Sequence, residues 1–220
     1  MIVFEDEASF RQTPTLHATW ARLGSRPQIP TKGERHTQKI FGAVRLDNAQ
    51  FIYRHQEEYF RSETYVAFLE QVMLPAFYRQ GHRVFLIQDN VSYHKKQETY
   101  QWFASQRRYL EVFQLPPYWP ELNAAERVWH YTRKHATHNR YFEQPRDLCH
   151  ALFRAFRHVQ RHPESIANLI QPFFDYYVEL LMRGCIAYGA NTNAVDKFGK
   201  TALQWARNEH HTNVVALLSK

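Results

Sequence analysis

The chain has 220 residues, of which 44% are hydrophobic and 15% aromatic, so it is long and apolar enough to fold around one sizeable core. The mean hydropathy is −0.60, and no apolar run approaches the roughly 20 residues that a spanning helix needs, which excludes a membrane protein. Lys and Arg outnumber Asp and Glu by 28 to 21, which suits a polyanionic partner and also ordinary solubility. Cys149 and Cys185 lie far apart and no signal peptide is visible, so we expect a reducing, cytoplasmic location without a disulfide framework.

Strand patterns and helix patterns alternate along the chain. The predicted strands are IVF (2–4), KIFGAVRL (39–46), AQFIYRHQ (49–56), VFLI (84–87) and YLEVFQL (109–115). The predicted helices are SETYVAFLEQVMLPAFYRQ (62–80), KKQETYQWFASQRR (95–108), NAAERVWHYTRKHA (123–136) and a block over 146–181. Pro75 predicts a kink or a break in the first helix, and the prolines of LPPYWP (115–120) predict an extended approach to the third. This order predicts an α/β fold, a mixed sheet with helices on its faces.

The fourth predicted strand ends on an acidic residue. VFLI is an unbroken apolar run, typical of a strand covered on both faces, and Asp89 and Asn90 follow it closely. One interpretation is a tight turn, because the same dipeptide, Asp47-Asn48, separates the two strands of a predicted hairpin. At Asp89, however, the next segment is a predicted helix rather than a returning strand. Open α/β sheets bind ligands at the carboxyl ends of their strands, so we favour a functional site at Asp89.

Two further carboxylates stand at comparable places. Asp6 follows the strand IVF, and Glu126 lies near the start of the helix NAAERVW. Two carboxylates at the tips of neighbouring strands, with a third from a helix, can surround a pair of hard divalent cations. Each also has a structural interpretation. Glu126 can be the glutamate of a capping box with Asn123 as N-cap, and Asp6, flanked by two glutamates, can belong to a solvated acidic turn.

Histidines near these positions are open to two interpretations. His94 is more commonly a surface or supporting histidine than a metal ligand. His130, His135 and His138 could suggest zinc, but on a basic helix their spacing is more simply that of a DNA-facing or solvated surface.

Four motifs in order resemble the DDE transposases of mariner-like bacterial insertion sequences, the insertion sequence 630 family. They are FEDEASF (4–10), WARLGSRP (20–27), FLIQDNVSYH (85–94) and LPPYWPELNAAERVW (115–129). The resemblance implies an RNase H-like catalytic domain, which we place at 1–178. It also implies an Asp, Asp, Glu triad of Asp6, Asp89 and Glu126 that binds two Mg²⁺ or Mn²⁺ ions, with 36 residues between the last two.

The same resemblance implies what the protein acts on. We expect metal-dependent cleavage of double-stranded DNA at element ends and strand transfer into target DNA, in the bacterial cytoplasm at the nucleoid. The residues expected beside the triad are Asn90, His94 and Asn123. The candidate phosphate contacts are Lys95, Lys96, Arg127, Arg133, Lys134 and Arg140. The aromatic residues nearby are Trp119, Trp129 and Tyr131, and for Trp129 we favour core packing.

The two ends of the chain carry separate expectations. Met1 precedes the first strand directly, so we expect an N-terminally truncated chain without its helix-turn-helix modules, acting with a separately encoded helix-turn-helix partner or as a homodimer. Residues 179–220 contain GANTNAVDKFGKTAL, which resembles an ankyrin repeat and is too short for a solenoid. The alternatives are a catalytically silent DNA-binding remnant and an ankyrin-type interaction module.

Overall fold

The structure is a computed structural model. It describes residues 1–33, 35–79, 82–116, 120–187, 193, 199–208 and 212–219. Contacts divide the chain into two units, Met1–Asn168 and Leu169–Lys220. The predicted boundary at residue 178 stays a prediction, because one helix runs across it.

A five-stranded mixed sheet organises the first unit. Its strands are β1 (Ile2–Arg11), β2 (Thr37–Arg45), β3 (Phe51–Gln56), β4 (Val84–Gln88) and β5 (Leu110–Gln114). The spatial order is β3-β2-β1-β4-β5, in which β1, β2 and β3 pair antiparallel and β1, β4 and β5 pair parallel. The predicted hairpin is confirmed, with Asp47 and Asn48 in the turn between β2 and β3. The predicted α/β class with a mixed sheet is confirmed as well.

β1 is longer than its sequence predicts. The expected strand ends at Phe4, whereas the observed strand continues to Arg11 because the residues beyond Phe4 pair with β2. The prediction that Asp6 follows a strand is therefore wrong: Asp6 lies within β1, opposite Gly42 of β2. Pairing with β4 covers only Ile2–Phe4, so the β4 side of β1 lacks a strand partner from Glu5 onward.

One face of the sheet is covered by the first helical region. It comprises α1 (Ser62–Phe68), a π-helical turn (Leu69–Met73) and α2 (Leu74–Phe77). The predicted disturbance at Pro75 is confirmed as this π-helical turn, since a proline removes a backbone donor from the helical ladder. A second helix, α3 (Gln97–Ser105), contacts α1 after a 3₁₀ turn at Ser92–Lys95. Buried apolar residues join these helices to the sheet, among them Val3, Tyr65, Phe68, Met73 and Leu86.

The other face carries α4 (Ala125–Thr132), its π-helical continuation (Arg133–Thr137) and α5 (Pro145–Arg161). An aromatic cluster holds them to the sheet, in which the ring of Trp129 meets those of Phe10, Phe51 and Phe156 edge to face. The helices contact β1, β2 and β3. Phe85 of β4 is 37% exposed, so the prediction that VFLI is covered on both faces is wrong at that residue.

The remaining helices are α6 (Glu164–Ala187), which spans the two units, and α7 (Ala202–Asn208) and α8 (Thr212–Leu218) in the second unit. α7 begins at a capping box, because the Thr201 amide donates to Oε1 of Gln204 at 2.8 Å and the Gln204 amide donates to Oγ1 of Thr201 at 3.3 Å. Most of the predicted ankyrin turn lies outside the described residues. No helix within the described ranges is long and apolar enough to cross a membrane.

Candidate active site

A cavity of about 600 Å³ opens where β4 ends beside β1 and the first turn of α4. Six residues singled out in the sequence line this cavity: Asp6, Asp89, Asn90, Lys95, Asn123 and Glu126. They come from three separate parts of the chain, so the fold brings together the three motifs in which they occur.

Asp6 is held at the cavity by the packing of two strands and a helix. Its carboxylate is almost buried, with the residue 7% exposed, and Oδ2 accepts a hydrogen bond from Nε1 of Trp129 at 2.9 Å. The indole reaches Asp6 because Gly42, the partner of Asp6 on β2, has no side chain. A Cβ at Gly42 would lie 2.8 Å from Cζ2 of Trp129. Core packing of Trp129 is confirmed, and the same side chain also orients Asp6.

Asp89, directly after β4, approaches Asp6 on the side of β1 that lacks a strand partner from Glu5 onward. Carboxylate oxygens of Asp6, Glu7 and Asp89 all lie within 4.8 Å of one another. The Asp89 side chain is 38% exposed, and its Oδ1 accepts a hydrogen bond from the Val91 amide at 3.2 Å. Glu126 lines the same cavity but lies outside this 4.8 Å group. Sequence reasoning missed Glu7 as a member of the cluster.

The electrostatics of Asp6 reflect this crowding. Burial raises the pKa of its carboxyl well above the usual range, and the negative charges of Glu7, Glu126 and Asp89 raise it further. The hydrogen bond from Trp129 opposes these effects. A carboxylate held in this way favours a nearby cation, because a positive charge would offset both the desolvation and the repulsion.

His94 is a buried histidine fixed between two of the carboxylates. Its Nε2 lies 3.1 Å from Oε1 of Glu7, and its Nδ1 lies 3.3 Å from Oδ1 of Asp89. Burial lowers the pKa of His94, but the hydrogen bonds to Asp89 and Glu7 outweigh it and raise the pKa to about 9. At neutral pH His94 is therefore a cation that orients Glu7 and Asp89. This geometry supports its predicted role as a residue beside the triad.

Glu5 is a second acidic residue that sequence reasoning missed. It is 0% exposed and, by strand alternation, points to the opposite face of β1 from Asp6. Its Oε2 lies 4.0 Å from Nε2 of His94, and within the described part of the chain neither carboxylate oxygen has a hydrogen-bond partner. Burial, followed by the charges of Glu7, Asp6 and Asp89, raises the pKa of Glu5 well above its usual range.

The alternative of a solvated acidic turn for residues 5–7 is therefore wrong. The side chains of Glu5 and Glu7 are 0% and 6% exposed, and all three acidic residues belong to β1. A signal was present in the sequence, because apolar strand residues, IVF and ASF, flank the three acidic residues on both sides.

Asn123 fixes the start of α4 against β1. Its Nδ2 donates to the Glu5 carbonyl at 3.2 Å, and its Oδ1 accepts the Ala125 amide at 3.0 Å. The predicted N-cap position is off by one residue, since Ala124 is the N-cap of α4. The capping-box interpretation of Glu126 is wrong, because the N-cap residue is Ala124, which makes no side-chain capping hydrogen bond. Its half-buried side chain is therefore available to the cavity.

Asn90 offers an unusual acceptor to the cavity. Its Oδ1 is buried and has no hydrogen-bond partner among the described residues. Hard divalent cations prefer oxygen ligands, and this amide oxygen without a hydrogen-bond partner lies next to clustered carboxylate oxygens.

The predicted phosphate contacts are spread over several surfaces. Lys95 lines the same cavity as the acidic residues, whereas Arg140 lines a separate groove against α5. Lys96, Arg127 and Lys134 are exposed. Arg133 is half-buried, with its guanidinium 5.4 Å from the centre of the Phe10 ring, so it serves packing as well.

The other predicted residues have mixed outcomes. His138 stacks on His17, and Tyr131 packs on His135 with ring centres 4.2 Å apart. None of the described groups that could hold a metal includes His130, His135 or His138. Trp119 lies outside the described residues, and the WARLGSRP motif lies in an exposed connector with Trp20 fully exposed.

The fold is similar to that of solved transposase structures. The structure is similar to two solved structures of the Mos1 transposase, a paired-end complex with the left transposon end and a pre-cleavage transpososome. The TM-scores are 0.51 and 0.52, both at 14% identity, covering 77% of this chain and 55% and 56% of the Mos1 chains. This similarity confirms the predicted RNase H-like sheet with flanking helices.

A family model described as "DDE superfamily endonuclease" matches residues 1–149. The chain belongs to this family. It is also 24% identical over 168 residues to an uncharacterized 39 kDa protein of insertion element IS630 from Shigella sonnei, covering 76% of this chain and 45% of that protein. The chain spans about half the length of the relatives it matches.

Proposed function

We propose that this chain is the catalytic domain of a transposase that cleaves and joins DNA strands in the transposition of an insertion sequence. The observation that carries the proposal is the meeting of Asp6, Asp89 and Glu126 at one cavity. Membership of the DDE superfamily endonuclease family supports the reaction type. The similar Mos1 structures contain transposon-end DNA, which supports duplex DNA as the substrate.

We propose that this cavity holds two Mg²⁺ or Mn²⁺ ions. We assign Asp6 and Asp89 as ligands to both ions and Glu126 as a ligand to one. Three features of this chain support a cation there: the raised pKa of Asp6, the carboxylate oxygens that lie within 4.8 Å and the orphaned Oδ1 of Asn90. A similar Mos1 paired-end complex, with a TM-score of 0.50, contains Mg. When bound, such ions would stabilise the attacking and leaving oxygens of a phosphodiester displacement.

The chain's own residues position this chemistry. Trp129 fixes Asp6 through its indole N–H, His94 holds Asp89 and Glu7, and Asn123 joins Glu5 to α4. Lys95 lines the cavity wall, which supports its proposed role as a contact to a DNA phosphate. We propose that the chain acts on element ends and target DNA. Its partner would be a separately encoded helix-turn-helix protein or a second copy of the chain. The ankyrin-like character of 179–220 is also part of this proposal, and the α7–α8 pair supports it.

The test is nicking of supercoiled plasmid DNA by the purified chain with Mg²⁺ or Mn²⁺. Asp89→Asn is expected to lower the rate by more than 100-fold, since removing a metal ligand removes most of the charge stabilisation. Asp47→Asn is the matched control, because Asp47 occupies the same dipeptide in an exposed hairpin turn. Metal-dependent nicking that survives in Asp89→Asn, or no nicking by the wild-type chain, would favour the silent DNA-binding alternative.

A further inference from the structure

The outer face of α5 is basic along its whole length. Leu148, Leu152, Phe156 and Val159 form its buried face, so the residues between them point to solvent. The exposed cationic and titratable side chains on this outer face are Arg146, His150, Arg154, Arg157, His158 and Arg161. Their spacing of three and four residues makes one continuous row. The row is about 22 Å long at 1.5 Å per residue.

Little on the protein neutralises this row. Four arginines stand on α5 against one acidic residue, Asp147, whose Oδ2 already accepts the Gln144 amide at 2.9 Å. None of the four arginines forms an ion pair within the described part of the chain. Like charges spaced three or four residues apart repel one another and destabilise a helix, and Arg154, Arg157 and Arg161 have this spacing. A polyanion bound along the row would relieve this repulsion.

A groove beside α5 adds a concave site to the row. It has a volume of about 480 Å³ and lies between α5 and the π-helical end of α4. The basic and titratable residues that line it are His135, Arg140, His150, Arg154 and His158, together with Asp147. Burial and the neighbouring charges of Lys134, His158 and Arg140 lower the pKa of His135. Arginines on two walls of one groove can donate paired hydrogen bonds to a phosphate.

We propose that this groove and the outer face of α5 bind the phosphate backbone of duplex DNA, at a site separate from the metal-binding cavity. His135 follows Glu126 by nine residues on one continuous helical run, which corresponds to about 13 Å. Nine residues are also about 2.5 turns at 3.6 residues per turn, so Glu126 and His135 lie on different sides of this run. The phosphate site on α5 is therefore distinct from the site at the carboxylates.

This inference rests on the proposed function for the identity of the DNA, but the binding itself needs neither metal nor cleavage. The expected contacts read no sequence, because phosphate contacts supply affinity without base recognition. The alternative interpretation is a solvated basic face, which would leave DNA affinity independent of these particular arginines.

The experiment measures the affinity of the full chain for a labelled duplex by fluorescence anisotropy in EDTA, from roughly 50 to 200 mM salt. Arg146→Gln with Arg154→Gln is expected to reduce the slope of log K against log salt by about 1.8, because each phosphate contact contributes about 0.9. Between roughly 50 and 200 mM salt, the affinity of the wild type should then fall by a factor about 12 times larger than the affinity of the variant does. Arg107→Gln with Arg108→Gln is the matched control, since these exposed arginines follow α3 on the opposite face of the sheet.

The same two positions changed to lysine should keep the wild-type slope, because the charge remains. An unchanged slope in the α5 glutamine variant, or an equal reduction in the control, overturns the inference. If the wild type does not nick DNA but the α5 variant has a reduced slope, the proposed catalytic function is rejected and this binding site is retained. If the wild type nicks DNA but the α5 variant has an unchanged slope, the binding site is rejected and the catalytic function is retained.

Discussion

At the scale of single residues, Asp6 is a side chain whose charged form is strongly disfavoured in the metal-free protein. It is nearly buried, and it faces the charges of Glu7, Glu126 and Asp89. Asp89 differs, because it is partly exposed and lies 3.3 Å from the cationic His94. Two carboxylates of one cluster should therefore respond in opposite directions when each is made neutral.

Asp6→Asn is expected to raise the melting temperature of the metal-free protein at pH 7 by roughly 2–4 °C, as about 1 kcal/mol does for a chain of this size. The amide still accepts the indole hydrogen bond but carries no charge. Differential scanning fluorimetry in EDTA measures the change, with Asp89→Asn as the matched control, which should not melt higher than the wild type. Mg²⁺ should stabilise the wild type more than Asp6→Asn, because a ligand that binds only the folded state stabilises it.

The pH dependence of that difference has a defined sign. The pKa of Asp6 is raised in the folded protein, so between its unfolded and folded pKa values the folded state binds more protons than the unfolded state. Wild-type stability from this group therefore falls as pH rises from about 4 until Asp6 ionises in the folded protein. Asp6→Asn lacks this loss, so the two proteins should melt together in acid and separate toward neutral pH. Equal separation at every pH would contradict this account.

At the scale of secondary-structure elements, the pairing of β1 with β2 sets the position of the site. Asp6 and Gly42 are partners in this ladder, and the glycine gives the Trp129 ring its place against β2. Trp129 of α4 thus lies over the glycine of β2 and donates its hydrogen bond to Asp6 on β1. The position of Asp6 therefore depends on Gly42, which has no functional group.

Gly42→Ala is expected to destabilise the protein by about 1–3 kcal/mol, the usual cost of overpacking a filled core. It should also reduce nicking, because the indole must shift away from Asp6. Urea unfolding of Gly42→Ala, Trp129→Phe and the double variant forms a cycle that isolates their coupling. We expect Trp129→Phe to cost less in the Gly42→Ala background, since the smaller ring removes the overlap. Additive costs would show that the close approach does not constrain the site.

The sequence predicts these elements unevenly, and the reasons are physical. The apolar runs that form β2, β3, β4 and β5 are specified locally, so their patterns predict them. β1 is not, because three consecutive acidic residues favour a turn until pairing with β2 and the imidazolium of His94 make their burial possible. Glu5 and Glu7 were missed for this reason. The π-helical turn before Pro75 was predicted only as a kink or a break, because the local sequence does not choose between them.

At the scale of the whole molecule, the part of the second unit from Asp196 onward is expected to be dispensable for folding of the first unit. Deleting residues from Asp196 onward should leave the cooperative thermal transition of Met1–Asn168 within a few degrees of the full chain, because the tail that we propose to be ankyrin-like would be a single repeat, which buries little surface. Circular dichroism of the two proteins measures it. Deletion from Pro145 onward is the contrasting control, since it removes α5 with its buried Leu148 and Phe156. Loss of the cooperative transition in the shorter deletion would show that the tail belongs to the core.

The position of β5 at the outer edge of the sheet has a consequence for how such chains can diverge. The segment between Asp89 and Glu126 leaves the cavity, forms α3 and this edge strand, and then returns to the cavity. Residues inserted in the exposed turn at 106–108 would extend into solvent without altering the contact of β4 with β1. Lengthening a flexible loop is inexpensive, about 0.6 kcal/mol for each doubling. Relatives can therefore differ in the number of residues between the last two acidic residues of the proposed triad while keeping the same arrangement in space.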